Sequence, residues 1–293
     1  MPPRSDSTPL HISPVWLVLT GILSVQFGAA IAKYLFDEID PTAMVCLRLL
    51  TSAAVMLLLA RPRLKGRSGA DWRVAVAFGL SLGLMNWAIY QSFARIPIGI
   101  AVTIEFIGPL ALAVIGSRRP RDLIWVALAA AGVALLGLEP GEVTLPGVLF
   151  ALVAGGSWAA YILLSARTGR HWPGLDGLAV ASVVAALLIT PFALGTAGSA
   201  LLDPRILALG ALVGLLSSVV PYSLELIALR TMSTRLLSVL MSLEPAAAAL
   251  AGLLLLRELL TSLQVLAIAC VIAASIGATR SSPSAPMAEP APN

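Results

Sequence analysis

The sequence predicts an all-α membrane protein, ten transmembrane helices arranged as a 5+5 inverted-topology repeat, and three observations predict it. Apolar residues make up 58% of the 293 positions and charged residues 12%, with a mean hydropathy of +0.94. That leaves too little polar surface to cover a water-soluble globule of this size. The apolar residues fall into ten stretches separated by short loops, most of them near the ~20 residues a helix needs to cross a bilayer core. The basic residues gather in alternate loops. Helices satisfy their own backbone hydrogen bonds in lipid, and the short alternating segments of a transmembrane β-barrel are absent.

Span one, 14 to 32, begins at an interfacial anchor, Trp16, and carries Gln26 at mid-depth. Span two, 42 to 60, holds Cys46 and, six residues in from its outer end, Arg48. Span three, 74 to 94, follows the anchor Trp72 and carries Asn86, Trp87 and Tyr90; Asn86 and Tyr90, four apart, share a face. Span four, 99 to 116, contains Glu105 and Pro109. Span five, 123 to 138, is short. Span six, 146 to 166, holds Gly155, Gly156 and Ser157, then Trp158 and Tyr161, which share a face three apart. Span seven covers 177 to 194, and span eight, 206 to 229, contains Pro221, Tyr222, Ser223 and Glu225. Span nine, 236 to 256, places Glu244 and Pro245 before a run of alanines, Ala246 to Ala249, and span ten, 263 to 279, holds Cys270. The small residues of spans five, six, nine and ten permit close helix approach. The two cysteines lie inside spans and read as small packing residues.

Orientation follows from Lys and Arg. One set of loops and tails carries Arg4, Arg61, Arg63, Lys65, Arg67, Arg73, Arg118, Arg119, Arg121, Arg167, Arg170, Arg230, Arg235 and Arg280, 14 of the 19 basic residues. The opposite set carries Lys33, Arg95, Arg205 and Arg257 together with Asp37, Glu38, Asp40, Glu139, Glu142, Asp203 and Glu258. The positive-inside rule then expects a multi-pass protein with both termini cytoplasmic. The net charge of +4 reads as topology and leaflet attraction, so no nucleic-acid partner is expected. Arg4 followed by an apolar run and Ala30-Ile31-Ala32 imitates a signal peptide. Cleavage there would leave nine helices and break the repeat, so span one is expected to stay.

The repeat is visible as weak internal similarity. A shift of 136 positions lays Ser81 on Ser217, Pro109 on Pro245, and Arg121-Asp122 on Arg257-Glu258; a shift of 131 lays Gln26-Phe27-Gly28 on Ser157-Trp158-Ala159. Five helices per half make the second copy inverted, which puts a substrate site between the halves near the midplane. The expected units are a tail over 1–13, a five-helix repeat over 14–138, a second over 146–279, and a Ser/Pro/Ala-rich tail over 280–293.

Four ionisable residues sit deep in spans: Arg48, Glu105, Glu225 and Glu244. A charge at such depth costs ~3 kcal/mol even on insertion scales, so these side chains are expected to face the bundle interior. Glu105 and Glu244 fall within roughly 3 to 4 Å of the midplane at the helical rise. Three roles are open to them: binding a substrate ammonium, taking up and releasing a proton, or a structural carboxyl hydrogen-bonded to a neighbour or paired with Arg48. Pro109 and Pro245 remove backbone donors beside the two acids, the kind of interruption that transporters put around a site, and Pro221 reads as a structural or gating residue. Arg48 reads as a pairing residue, with a substrate carboxylate as the alternative partner. Glu225 reads as a residue of gating or substrate passage, or as one that reaches the headgroups or pairs with Arg230. Gln26, Asn86, Trp87, Tyr90, Ser157, Trp158, Tyr161 and Tyr222 complete a candidate cavity, with an interfacial-anchor role as the alternative for the aromatics. His11 and His171, the two histidines, lie outside spans, and no phosphate-binding Gly-Lys-Ser/Thr loop occurs. Neither a metal, a cofactor nor an enzyme activity is expected, and transport would draw on a substrate or ion gradient.

Several stretches carry a family resemblance: Ser81 to Asn86, Pro97 to Val102, Glu105 to Leu110, Ser117 to Pro120, Pro221 to Glu225, and Met241 to Pro245. They resemble the drug/metabolite transporter superfamily in its ten-helix EamA-type branch, and within it the bacterial inner-membrane threonine/homoserine exporters. The resemblance implies a secondary carrier of the inner membrane that exports small amino acids or related metabolites by alternating access, coupled to proton entry. Efflux of drugs or amphipathic metabolites is the alternative, and a passive channel or an intramembrane enzyme lies outside the transporter class. Arg48 matches the arginine that this branch carries in span two. One departure stands out: the branch often ends span nine with Gly-Glu, where this chain has Arg257-Glu258.

Overall fold

Every regular element in the computed structural model is a helix, among the described residues, which are 13–117, 122–136, 143–197, 201–229 and 231–281. The expected terminal tails fall almost wholly outside these, as do Arg4, Arg118, Arg119, Arg121, Glu139, Glu142 and Arg230. The helices are α1 (Pro14–Tyr34), α2 (Pro41–Ala60), α3 (Gly69–Phe93), α4 (Ile98–Glu105), α5 (Ile107–Ser117), α6 (Leu123–Leu136), α7 (Leu145–His171), α8 (Asp176–Ala197), α9 (Pro204–Gly214), α10 (Val220–Ala228), α11 (Thr234–Met241), α12 (Glu244–Ala251) and α13 (Ser262–Ser281). Joined across their breaks, nine of the described segments are long and apolar enough to cross a membrane, and α6, at 14 residues, is the short fifth span.

Several helices start where a side chain satisfies the first free N–H groups. Asp40 accepts from the Thr42 N–H ahead of α2, and Ser68 and Asp71 form a reciprocal capping box at α3. Thr144 and Ser233 cap α7 and α11 in the same manner. The loop before α3 is pinned to the α7–α8 turn: Arg67 lies over the Trp172 ring at 4.4 Å, and Asp71 Oδ1 stands 2.9 Å from His171 Nδ1.

Three spans are interrupted, two of them beside the prolines that predict a break, Pro109 and Pro245. Span four breaks at Phe106 between α4 and α5, span nine breaks at Ser242–Leu243 between α11 and α12, and span eight passes through a π-helical turn, Leu215–Val219, between α9 and α10. The physical reason is the same in each. Pro109, Pro245 and Pro221 have no N–H to give to the carbonyls of Glu105, Met241 and Ser217 one turn back. A second π turn, Gly252–Leu256, ends span nine at Arg257, whose φ of 57° is left-handed. Glycine takes that conformation without steric cost, so the arginine occupies a position that suits the glycine common in the resembling branch.

The outside is lipid-compatible and the seams are small. Leu58, Leu163, Leu187 and Phe192 are exposed, while Ala101, Ala154, Ala185 and Ala251 are fully buried at helix crossings. The packing is reciprocal between halves: α1 lies on α10 and α12 as α7 lies on α3 and α4, and α6 pairs with α13, α4 with α12, and α2 with α8. That is the contact pattern of two inverted five-helix bundles. At one end of the bundle, Glu258 ties three spans together. Its Oε2 accepts the Ile98 N–H at 2.9 Å and its Oε1 meets Lys33 Nζ at 2.7 Å, and that ammonium also donates to the Ile96 carbonyl.

Candidate functional site

The helix breaks deliver the acids. Glu105 is the last residue of α4 and Glu244 the first of α12, so both carboxyls leave the main chain where the two broken spans face each other. They are 9% and 8% exposed, and among the described residues neither forms a hydrogen bond, or an ion pair within 4 Å. Both line a cavity of about 190 Å³ between the halves. Gln26, Arg48, Asn86, Trp158, Tyr161, Pro221 and Glu225 share its wall, along with Ser217, Tyr222 and Met241. The charges sense one another: Arg48 lies within electrostatic reach of Glu105, and Glu225 and Glu105 within reach of Glu244.

The remaining sequence candidates sit elsewhere. Tyr90 is fully buried behind Arg48, whose guanidinium carbon lies 5.4 Å from the centre of its ring, so it is off the cavity wall although Asn86, one turn away, is on it. Asn86 Nδ2 donates to the Leu82 carbonyl at 2.8 Å, leaving its oxygen for the cavity. Pro109 borders a separate, apolar cavity beside Phe106 and Trp158, and Pro245 is buried. Trp87, read from sequence as a cavity candidate, instead packs edge-on against Phe150 and donates to Thr42 Oγ1.

Two devices hold the wall in place. Pro221 leaves the carbonyls of Leu216 and Ser217 without backbone donors in the π and α registers, and side chains from two other spans fill them: Ser24 Oγ donates to Leu216 at 2.7 Å and Arg48 Nη2 to Ser217 at 3.1 Å. Pro109 likewise frees the Glu105 carbonyl, and α7 closes on it through glycines. A Cβ on Gly155 would come 2.5 Å from that oxygen, and one on Gly108 would come 1.9 Å from the Gly155 oxygen. Sequence reasoning used Ser217 only as a repeat match. The signal for it was Pro221 four residues later, which predicts a free carbonyl seeking a donor.

A model described as the EamA-like transporter family matches residues 145–280. Threonine/homoserine exporter RhtA of Salmonella typhimurium (strain SL1344) is 42% identical over 285 residues, covering 95% of this chain and 95% of its own. This chain belongs to the EamA-like transporter family. The RhtA of Escherichia coli (strain K12) is likewise 42% identical, over 280 residues covering 92% of this chain and 94% of that one. A solved crystal structure 20% identical in sequence superposes with a TM-score of 0.58 over 89% of this chain and 95% of that chain, so the fold is shared. For an EamA-family transporter, a cavity walled by both halves, carrying buried acids and reached by the only broken spans among the described residues, is the natural candidate site.

Proposed function

We propose that this EamA-family member is a secondary exporter of small amino acids of the threonine/homoserine type, working by alternating access across a bacterial inner membrane and driven by proton entry. The observation that carries the reading is the pair of carboxyls, Glu105 and Glu244, on the wall of a small cavity between the halves, with no hydrogen bond or ion pair to either among the described residues. Unpaired acids in hydrocarbon are tolerated where they handle cargo or protons. The names of the RhtA relatives supply the substrate class. Both termini are assigned to the cytoplasm, with five-helix units over 14–138 and 146–279. On that orientation the Lys33–Glu258–Ile98 network lies at the outer end of the bundle.

The cavity volume favours this reading over drug efflux. About 190 Å³ falls below the ~300 Å³ at the lower end of sites for drug-sized ligands. The test is counterflow of radiolabelled threonine and homoserine in proteoliposomes, with and without an imposed proton gradient. Glu105→Gln and Glu244→Gln are each expected to lower proton-driven flux by about tenfold or more, since a charged hydrogen-bond partner is lost. Undiminished proton-driven flux in both variants removes the assigned roles, and absence of counterflow by the unmodified protein removes the carrier.

A further inference from the structure

The central cavity has an apolar neighbour of about 350 Å³, bounded by α5, α7, α11 and α13, and two side chains, Trp158 and Met241, line both. Among the described residues those two alone are shared, so they form the partition between the cavities. The indole is braced. Phe106 meets it edge-on with ring centres 5.0 Å apart, and three residues earlier on the same helix Gly155 packs against the Glu105 carbonyl. Phe106 is buried and directly follows Glu105 at the break in span four, so the partition stands beside one of the acids. Met241 is the last residue of α11, at the break in span nine. Behind the partition the wall is made by side chains such as Leu110, Ala113, Ile162 and Leu237. The hydroxyls of Ser275 and Thr279 also border that space and are already engaged, the first with Ser242 Oγ at 2.7 Å and the second with the Ser275 carbonyl at 2.9 Å.

Resting on the amino-acid reading above, we infer that Trp158, backed by Met241, sets the side-chain size that the carrier accepts, by barring substrates from an apolar pocket already built behind it. The central cavity is small, and the indole fills the space through which a longer side chain would extend. With the indole cut back, the two volumes become one, above the ~300 Å³ at which sites for drug-sized ligands begin. The added space is apolar, and apolar voids take apolar ligands. The class admitted is therefore amino acids with large apolar side chains. Side chains of the same length that end in a polar group gain nothing, because the desolvated end finds no free partner there.

The partition is tested by counterflow in proteoliposomes of the full-length protein, with L-threonine, L-leucine and L-glutamine as probes, the last two being close in size and opposite in polarity. The unmodified protein is expected to favour threonine over leucine by about tenfold or more. Trp158→Ala should raise the leucine-to-threonine ratio by about tenfold and leave the glutamine-to-threonine ratio where it was. Adding Ala113→Leu to that variant refills the space behind the partition and should cancel the leucine gain. Three results overturn the inference and leave the amino-acid reading standing: an unmodified protein that carries leucine as well as threonine, a Trp158→Ala protein that carries threonine with an unchanged leucine ratio, or an equal gain for glutamine. Absence of counterflow of all three probes by the unmodified protein overturns both. Should Trp158→Ala lose all transport through misfolding, Trp158→Phe decides, since it keeps an aromatic ring against Phe106. A severalfold rise in the leucine ratio is expected there, and an unchanged ratio overturns the inference.

Discussion

Single atoms govern the seam beside the acids. Gly108 and Gly155 let α5 and α7 approach until the Gly155 oxygen lies where a Gly108 Cβ would be, 1.9 Å away, and backbone on both sides leaves nothing flexible to yield. Gly108→Ala should therefore destabilise the protein by about 1–3 kcal/mol or more, read as a fall in melting temperature in detergent. Gly156 is the control, since a Cβ there meets nothing within 4 Å and alanine is the better helix former. Gly156→Ala should leave the melting temperature unchanged or slightly raised, and equal losses in the two variants would contradict the packing account. Glycine content alone does not separate these two neighbours in function, because the difference is made by another helix.

Elements are joined by side chains that repair what proline removes. Glu105 and Glu244 owe their exposure to the cavity to breaks that Pro109 and Pro245 impose, and the sequence makes those breaks legible. The repair partners are not legible. Nothing local marks Ser24 or Arg48 as the donors for the carbonyls freed by Pro221, because both come from other spans about 170 to 190 residues away along the chain. Glu258 acts similarly, capping α4 from beyond the end of span nine. Glu258→Ala should lower stability by about 1–3 kcal/mol, leaving the Ile98 N–H and the Lys33 ammonium short of an acceptor. Glu258→Gln, which can still accept from Ile98, should lose less. Thermal melts of the two variants check the order, and a neutral Glu258→Ala would show that the network does not hold this end.

The whole molecule is a bundle whose halves pack on each other reciprocally, and the sequence bears directly on how that bundle sits in the membrane. With 14 of 19 basic residues on one side, a fluorescent-protein fusion at the C-terminus should glow in bacterial cells and a phosphatase fusion there should be inactive. The opposite pattern would reverse the orientation assigned to the cavity. By itself the sequence determined the all-helical membrane class, the number of spans, their order and the four ionisable residues within them, because hydropathy over ~20 residues and the cost of a charge in lipid are local quantities. Only the tertiary structure decided which polar residues share a wall. Tyr90 falls behind Arg48 while Asn86 reaches the cavity, and Ser217 comes to the site from the second half. A helical face can be read from spacing, but which neighbour that face meets depends on the packing of nonadjacent spans, and no local window of residues contains that information.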